Sequence, residues 1–497
     1  MVLAKYILEF VVFAVGACVM ILELTGSRIL APYLGTSIFV WTSLIGIVLA
    51  SLSLGYFWGG RIADKKVSWQ IFSILILAAS VFIFLTALFK EPILAQIQDN
   101  IADLRLGSIL GALILLAPAS VFLGTVSPYA VRLRIKDVKK SGTTVGNLYA
   151  VSTVGSIVGT FLSGFWLISY LGNTKILYLI AIVLIFTSFL AWMKGFRILR
   201  YFVLMVFVSA FMSTVSAERE TRAIGFVDVD TKYSRIWIYE EQHPASGRKI
   251  RVMKFDPKAL QSAIFLDSPE LVLEYTKFFR MAKHFKSGIS SGLLIGGAGY
   301  SYAQDFLASY PRATLDVVEI DPAMTTLAKT YFGLRDNPRL NIYHEDGRTF
   351  LNRTKGTYDV IFGDAFGASF SIPFQLTTVE AVSKMYRLLS VDGVLLINMV
   401  SSVEGKTAKF LKAEYWTLRQ FFPQVFVFPV KDNNDGENVQ NILLVALKST
   451  DAVSWQSSDE EITNYLSHLW TGKIESGVPV LTDDWAPVDQ YIADILK

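Results

Sequence analysis

Seven apolar stretches crowd the first 217 residues, and that crowding limits the fold more than any other feature of the chain. Runs near 6–25, 38–60, 69–89, 107–131, 145–170, 174–193 and 199–216 are each long and apolar enough to cross ~30 Å of hydrocarbon as a helix. A backbone inside lipid must satisfy its own hydrogen bonds, so such stretches are expected as a helical bundle. No small-residue cleavage site follows the first run, which reads as a retained helix, not a signal peptide. The pairs Gly55/Gly59 and Gly155/Gly159 have the spacing that lets helix backbones approach closely. They read as packing positions.

Charge divides the chain in the same place. Residues 1–217 hold 16 Lys+Arg and 7 Asp+Glu, a surplus of +9; the remainder holds 30 and 35, a deficit of −5. The basic surplus lies in the apolar half, where it sets topology, and does not suggest a nucleic-acid partner. The basic loops Arg61–Lys66, Arg132–Lys140 and Lys194–Arg200 follow the second, fourth and sixth runs. The positive-inside rule places them, and the amino terminus, in the cytoplasm. A seventh full crossing would then export the carboxyl half, unless the seventh run is interfacial or re-entrant or an additional crossing is present. The chemistry read below points inward, so the expectation is a multi-pass membrane protein with a cytoplasmic soluble domain. Glu9, Glu23 and Arg28 lie in or beside the first run; Glu23 and Arg28 are expected at an interface, paired or hydrated. The lone cysteine, Cys18, excludes a disulfide framework or a cysteine-based metal site within one chain.

Beyond Val215–Glu220 the pattern changes. Ser234–Glu240 and Lys249–Phe255 alternate at strand period around a turn at His243–Gly247. Strand-like and helix-like segments then alternate from Gly292 to Asn398, which predicts a parallel sheet covered on both faces. The expected architecture is a polytopic α-helical membrane domain (1–217), a small β-hairpin subdomain (218–269) and an α/β Rossmann-like domain (270–497).

Within that last part, Gly296-Gly-Ala-Gly299 joins a strand to a helix, where backbone N–H groups and the helix dipole favour polar or anionic ligands. The next strand ends Val317-Val-Glu-Ile-Asp321, which puts Glu319 some 20 residues on, where a carboxylate can accept both ribose hydroxyls. Asp346-Gly347 follows the third strand and is a candidate for an adenine amino group. Tyr358–Asp364 delivers Asp364 to the carboxyl edge of the sheet. A dinucleotide motif would place glycine or alanine where Tyr302 stands, so a ligand with one nucleoside is favoured over NAD. Each residue also has an ordinary reading: Glu319 as a strand end, Asp346 as part of a turn, Asp364 as a helix cap.

The order Leu260-Gln-Ser-Ala, Leu273-Glu-Tyr-Thr, Ile295-Gly-Gly-Ala-Gly, Val318-Glu-Ile-Asp, Asp346-Gly, Asp364-Ala-Phe, Ile372-Pro and Leu376-Thr-Thr-Val-Glu resembles the spermidine synthase-like proteins. The stretches Leu22–Gly35 and Gly146–Gly155 resemble the membrane-fused branch of that family. The resemblance implies transfer of an aminopropyl group from decarboxylated S-adenosylmethionine to an amine, with release of 5′-methylthioadenosine and no metal. It implies that Gly296, Gly297, Gly299, Glu319, Ile320, Asp346 and Gly347 hold the adenosyl part, and that Gln261 and Tyr275 line the donor and amine channel. Asp364 would orient and deprotonate the attacking amine.

The departures are specific. Gly299 stands where the family carries a loop aspartate for the donor's terminal amine, Gly367 replaces a second carboxylate after Asp364, and Lys277 replaces an acidic residue after Tyr275. Fewer anionic anchors suit a polycation poorly, so intact S-adenosylmethionine as donor, its intramolecular cleavage, or a small or membrane-borne nucleophile enters consideration. The alternatives are a methyltransferase on the same site and a non-catalytic adenosyl sensor or transporter. The sequence leaves the oligomeric state open between monomer and homo-oligomer, although membrane helices with small-residue faces often self-associate. The histidines His243, His284, His344 and His468 have no paired metal spacing and read as structural. Asp483-Asp-Trp-Ala-Pro487 reads as a capped turn packing Trp485 against the sheet, or as a substitute for the lost acidic lining.

Overall fold

The computed structural model describes residues 2–135, 141–192, 205, 208–209, 212, 225–255, 257, 260–366 and 372–495. It divides into two compact units: Met1–Ile224 with Asp228–Arg235, and Gly225–Val227 with Ile236–Lys497.

The first unit is helical: α1 (Val2–Leu34), α2 (Ile38–Lys65), α3 (Trp69–Asn100), α4 (Leu104–Leu115), α5 (Ala117–Arg134), α6 (Ser141–Leu162) and α7 (Asn173–Ala191). Among the described residues, five spans are long and apolar enough to cross a membrane, and six if α4 and α5, bent by 54°, count as one broken span. These correspond to the first six apolar runs. The seventh, apart from four residues, and the Lys194–Arg200 loop lie outside the described residues. The bend falls where Leu116 separates the helices and Pro118 opens α5, a position where proline's missing N–H costs no hydrogen bond.

The glycine pairs act as packing positions. A Cβ on Gly155 would lie 2.1 Å from the Phe13 carbonyl oxygen, and one on Gly159 would lie 2.4 Å from that of Ala17, so α1 and α6 touch backbone to backbone. Gly55 and Gly59 meet α5 in the same way, at Val121 and Thr125. Between α3 and α7, Ser73 Oγ donates to Ser188 O (2.8 Å) and Ser188 Oγ to Ser73 O (2.9 Å), the polar cross-link expected between apolar helices. Glu9 pairs with Arg134 at 2.7 Å. Arg28 donates to the carbonyls of Thr231 (2.6 Å) and Tyr233. Asp230 accepts from the backbone and side chain of Asn173, each at 3.0 Å, and Arg235 bridges Asp228 (2.5 Å) and Glu91 (2.9 Å). The segment Asp228–Arg235, which begins within strand β1 (Val227–Asp230), is thereby pinned to α1, α3 and α7.

The second unit begins with an antiparallel meander of β2 (Arg235–Gln242), β3 (Lys249–Lys254) and β4 (Leu260–Phe265). The expected hairpin lies inside a four-stranded sheet of order β1-β2-β3-β4. The 270–285 stretch, helical in pattern, is three short turns: α8 (Glu274–Phe278), a 3₁₀ turn and Ala282–Phe285.

The large sheet has the order β10-β11-β9-β8-β5-β6-β7. It is built from β5 (Ser291–Ile295), α9 (Ser301–Ser309), β6 (Thr314–Val318), α10 (Pro322–Tyr331), β7 (Leu340–Tyr343), α11 (Gly347–Arg353), β8 (Tyr358–Phe366), α12 (Val379–Leu388), β9 (Leu389–Ser401), α13 (Lys409–Leu418), β10 (Gln424–Pro429) and β11 (Gln440–Leu447). Strands β5 to β9 pair in parallel, as the alternation predicts, and β11 and β10 add an antiparallel edge. The sheet is therefore mixed, because a direct β10–β11 connection without a crossover helix can only pair antiparallel. Strand order reverses between β5 and β8, and ligands of such sheets lie at the carboxyl ends of the strands beside the reversal.

Candidate active site

The glycine loop leaves β5 at that reversal. Gly296 has φ +102°, and a Cβ there would lie 2.7 Å from the Asp364 carbonyl oxygen, so only glycine fits. Ala298 (φ +43°) and Tyr300 (φ +57°) also hold left-handed conformations, which cost of order 1–3 kcal/mol each outside glycine. The loop is paid for by its surroundings: the buried Tyr300 packs its ring on Gly297 and hydrogen-bonds Thr325 (2.7 Å), which bonds His344 (2.8 Å).

Glu319 closes on this loop. Its Oε2 accepts from the N–H groups of Gly297 (2.9 Å) and Ala298 (3.0 Å), and its Oε1 from that of Asp321 (3.0 Å). Burial raises its pKa, and the backbone donors oppose that. Two amides expected to face a ligand are thus held by the carboxylate, whose Oε2 accepts two of these bonds and Oε1 one. Ile320, 39% exposed, offers an apolar surface beside it. Asp346 caps α11, accepting from Thr349 N (2.9 Å), while its Oδ2 faces Gln375 Nε2 (3.3 Å). A Cβ on Gly347 would press on Ile295 at 3.0 Å. Tyr302 is buried, its ring centroid 4.9 Å from Phe279 and 4.8 Å from Phe362, so an aromatic wedge replaces the close helix–strand contact of a dinucleotide site.

Asp364 sits near the end of β8, where the pairing with β9 shifts register between Gly363 and Phe366. Such an irregularity re-aims a side chain. Its Oδ1 accepts from Asn398 Nδ2 (3.1 Å) and its Oδ2 from Tyr275 OH (3.3 Å); Asn398 Oδ1 accepts in turn from Asn441 Nδ2 (3.0 Å). Burial pushes the Asp364 carboxyl up to about 7, against the lowering pull of those two donors. The Tyr275 phenol is raised well above its usual value by burial and by Asp364 beside it, so it stays a hydrogen-bond donor. A cavity of about 550 Å³ opens over this group, lined among others by Gln261, Tyr275, Ala298, Asp364, Asn398 and Asn441.

Of the sequence-derived candidates, Gln261, Tyr275 and Asp364 share that cavity; Glu319, Ile320, Asp346 and Gly347 form the neighbouring edge of the loop and do not line it. Asn398, Asn441 and Gln375 carry no motif; only β-pairing of β9 with β11 brings the two asparagines together. A Cβ on Gly299 would lie 2.4 Å from Ser262 Oγ. The site has closed over the place of a loop aspartate. Gly367 lies outside the described residues. Asp483 is bound by Arg348 (2.6 Å) and Thr378 (2.7 Å) and does not line the cavity, so it supplies no acidic lining; the turn is closed by reciprocal backbone bonds between Thr482 and Trp485 (3.0 Å each), with Trp485 47% exposed. Among the described residues no three His, Cys, Asp or Glu side chains converge as metal ligands.

A mixed sheet with a parallel core, a glycine loop at its strand-order reversal and a desolvated aspartate at the strand edge is the arrangement of a Rossmann-like domain. Residues 279–430 match the spermine/spermidine synthase domain. The chain is 30% identical over 210 residues to a polyamine aminopropyltransferase of Vibrio vulnificus (strain CMCP6), covering 40% of this chain and 68% of that protein. It is 22% identical over 417 residues to polyamine aminopropyltransferase 2 of Aquifex aeolicus (strain VF5), covering 78% of each. A crystal structure of a probable spermidine synthase from Corynebacterium glutamicum ATCC 13032 is similar at 22% identity and a TM-score of 0.41, covering 54% of this chain and 93% of that one. The chain belongs to the spermine/spermidine synthase family and is a transferase of that kind. The alignment over 78% of the chain also runs well into the helical region.

Proposed function

We propose that the protein is a membrane-anchored alkyl transferase acting at the sulfonium of decarboxylated or intact S-adenosylmethionine and releasing 5′-methylthioadenosine. One observation carries this reading: Asp364, desolvated and held by Tyr275 and Asn398, forms the floor of a cavity beside a nucleoside loop. A sulfonium is already activated toward displacement, whereas an amine nucleophile is protonated at neutral pH. A carboxyl near 7 suits the removal of that proton, and the fixed partners orient the amine for attack. The adenosyl part fits the loop, with Glu319 on the ribose, Ile320 against the base and Asp346 beside its amino group. Gln261 and Tyr275 border the reacting carbon.

Either donor remains within this reading because Gly299, backed by Ser262, leaves no loop carboxylate to hold the terminal amine of one or repel the carboxylate of the other. Mass spectrometry of the purified protein with each donor, with and without 1,4-diaminobutane, tests it. Methylthioadenosine that appears and disappears with Asp364 supports the reading. S-adenosylhomocysteine would move the assignment to methyl transfer, and tight binding without turnover would move it to a sensor.

A further inference from the structure

The cavity above Asp364 carries two charged side chains that proton transfer does not use. Glu241 comes from β2 of the small sheet, Lys431 follows β10 at the edge of the large one, and both line the same 550 Å³ space. The other carboxylates of the lining are engaged: Glu274 accepts from Lys277 at 2.6 Å, and Asp364 accepts from Tyr275 and Asn398. Among the described residues, the Glu241 carboxylate and the Lys431 ammonium have no hydrogen-bond or ion-pair partner. The backbone that carries Lys431 is held in place, while its side chain is exposed at the rim of the cavity. The buried Gln440 accepts from the N–H groups of Lys431 (2.6 Å) and Asp432 (3.0 Å) and donates to Asp432 O (2.7 Å), which brackets the turn on both sides.

A ligand carrying only ammonium groups would meet one attractive and one repulsive charge here, and like-charge juxtaposition is an effective way to reject a ligand. We infer that the cavity selects a zwitterionic group, its ammonium against Glu241 and its carboxylate against Lys431, in preference to a plain diamine. The inference rests on the transfer reading above. That aminocarboxylate has two sources: an α-amino acid whose side-chain amine is the acceptor, or the amino-acid end of an undecarboxylated donor. In the first case the acceptor nitrogen forms a bond to the sulfur-bound carbon of the donor's aminopropyl group as that carbon–sulfur bond breaks. The electron pair neutralises the sulfonium to give methylthioadenosine, and the amine proton passes to the Asp364 carboxylate.

The test compares 1,4-diaminobutane with 2,5-diaminopentanoate, its α-carboxylated counterpart, using decarboxylated donor, and adds intact donor in a separate arm. Wild type, K431E, K431M and E241Q are followed by methylthioadenosine release, with melting curves confirming that the variants fold. The expected result is a lower KM for 2,5-diaminopentanoate than for the diamine. K431E should raise that KM about tenfold, with kcat changed by less than about twofold, and lower the diamine's KM. If only the intact-donor arm responds to K431E, the aminocarboxylate is the donor's own. A wild-type preference for the diamine that K431E leaves unchanged overturns the inference. Should no arm release methylthioadenosine, the transfer reading fails separately; calorimetric titration of the two acceptors into wild type and K431E then decides, and equal affinities in both proteins overturn the zwitterion site.

Discussion

Replacing Asp364 with asparagine separates proton transfer from binding, because the amide keeps the shape of the carboxylate and can still bond Tyr275 and Asn398. With the carboxyl at about 7 in the free protein, one-tenth is ionised at pH 6 and nine-tenths at pH 8. On this basis kcat/KM should rise about tenfold across that interval; the acceptor's own amine, with a pKa of ~10, titrates well above it. A bound sulfonium favours the carboxylate, so the limb in kcat should lie at lower pH than that in kcat/KM. D364N should lose roughly 10²–10⁴ in kcat and flatten the limb. Stability should move the other way. A carboxyl raised in the folded state stabilises fully below its unfolded pKa and loses that contribution as pH climbs through about 7. The rise from 3.8 to about 7 sets an upper limit of about 4 kcal/mol, and contact with a wet cavity lowers it to roughly 2 kcal/mol. D364N should therefore melt higher than wild type at pH 8 and much like it at pH 4, by scanning calorimetry of the membrane-extracted protein. An unshifted pH limb in D364N, or retention of more than about a tenth of the wild-type kcat, would refute the assignment of Asp364 as the base.

Further tests bear on the surroundings of that group. Asn398→Ala removes a donor that lowers the Asp364 pKa, so the acid limb of kcat/KM should move upward, by about half a pH unit or more, while the donor's affinity, read by calorimetry, changes little. Gly299→Asp should not by itself improve the KM for decarboxylated donor, because its Cβ collides with Ser262 Oγ at 2.4 Å; the double variant with Ser262→Ala should do better than the single one. Glu414 is fully buried in α13, neither carboxyl oxygen has a partner, and burial raises its pKa well above the usual value. Its contribution is complete below about pH 4.5 and lost as pH rises, so Glu414→Gln should raise the melting temperature at pH 8, equivalent to roughly 1–3 kcal/mol, with little change at pH 4.

How much of this could be read from the chain depended on whether a feature was local. The first six apolar runs became helices because period and length are local properties, and the glycine pairs proved to be backbone contacts because the residue type itself permits them. Asp364 and Glu319 were legible because the strand before each delivers it to one edge of the sheet. The antiparallel edge was not, since β10 and β11 carry the same apolar signal in either direction and only their connection decides. Asn398 and Asn441 escaped for a related reason: they are 43 residues apart and meet only through the β9–β11 register.

The side of the membrane on which the soluble unit lies brings two physical requirements into opposition. Arg28 near the end of α1, Glu91 in the last third of α3 and Asn173 at the start of α7 hold Asp228–Arg235. Connections of a few residues make successive helices antiparallel, so these three positions share one end of the bundle. Lys66 lies at the other end, where its carbonyl accepts from Tyr129 OH at 2.6 Å and Arg132 pairs with Asp64. If the basic loops are cytoplasmic, Asp228–Arg235 is outside, and the chain that continues from Ile236 begins outside with it. A donor made in the cytoplasm calls for the reverse. The clasp is a set of direct contacts, whereas the loop rule is a bias that other charges can override, and the transfer reading proposed above calls for a donor from the cytoplasm. The expected outcome is therefore a bundle inserted against its loop charges: a reporter fused after Lys497 active in the cytoplasm, and one placed between Lys65 and Ser68 active only outside. The opposite pair of results would keep the clasp and the loop rule together, and would require the sulfonium donor to be delivered across the membrane.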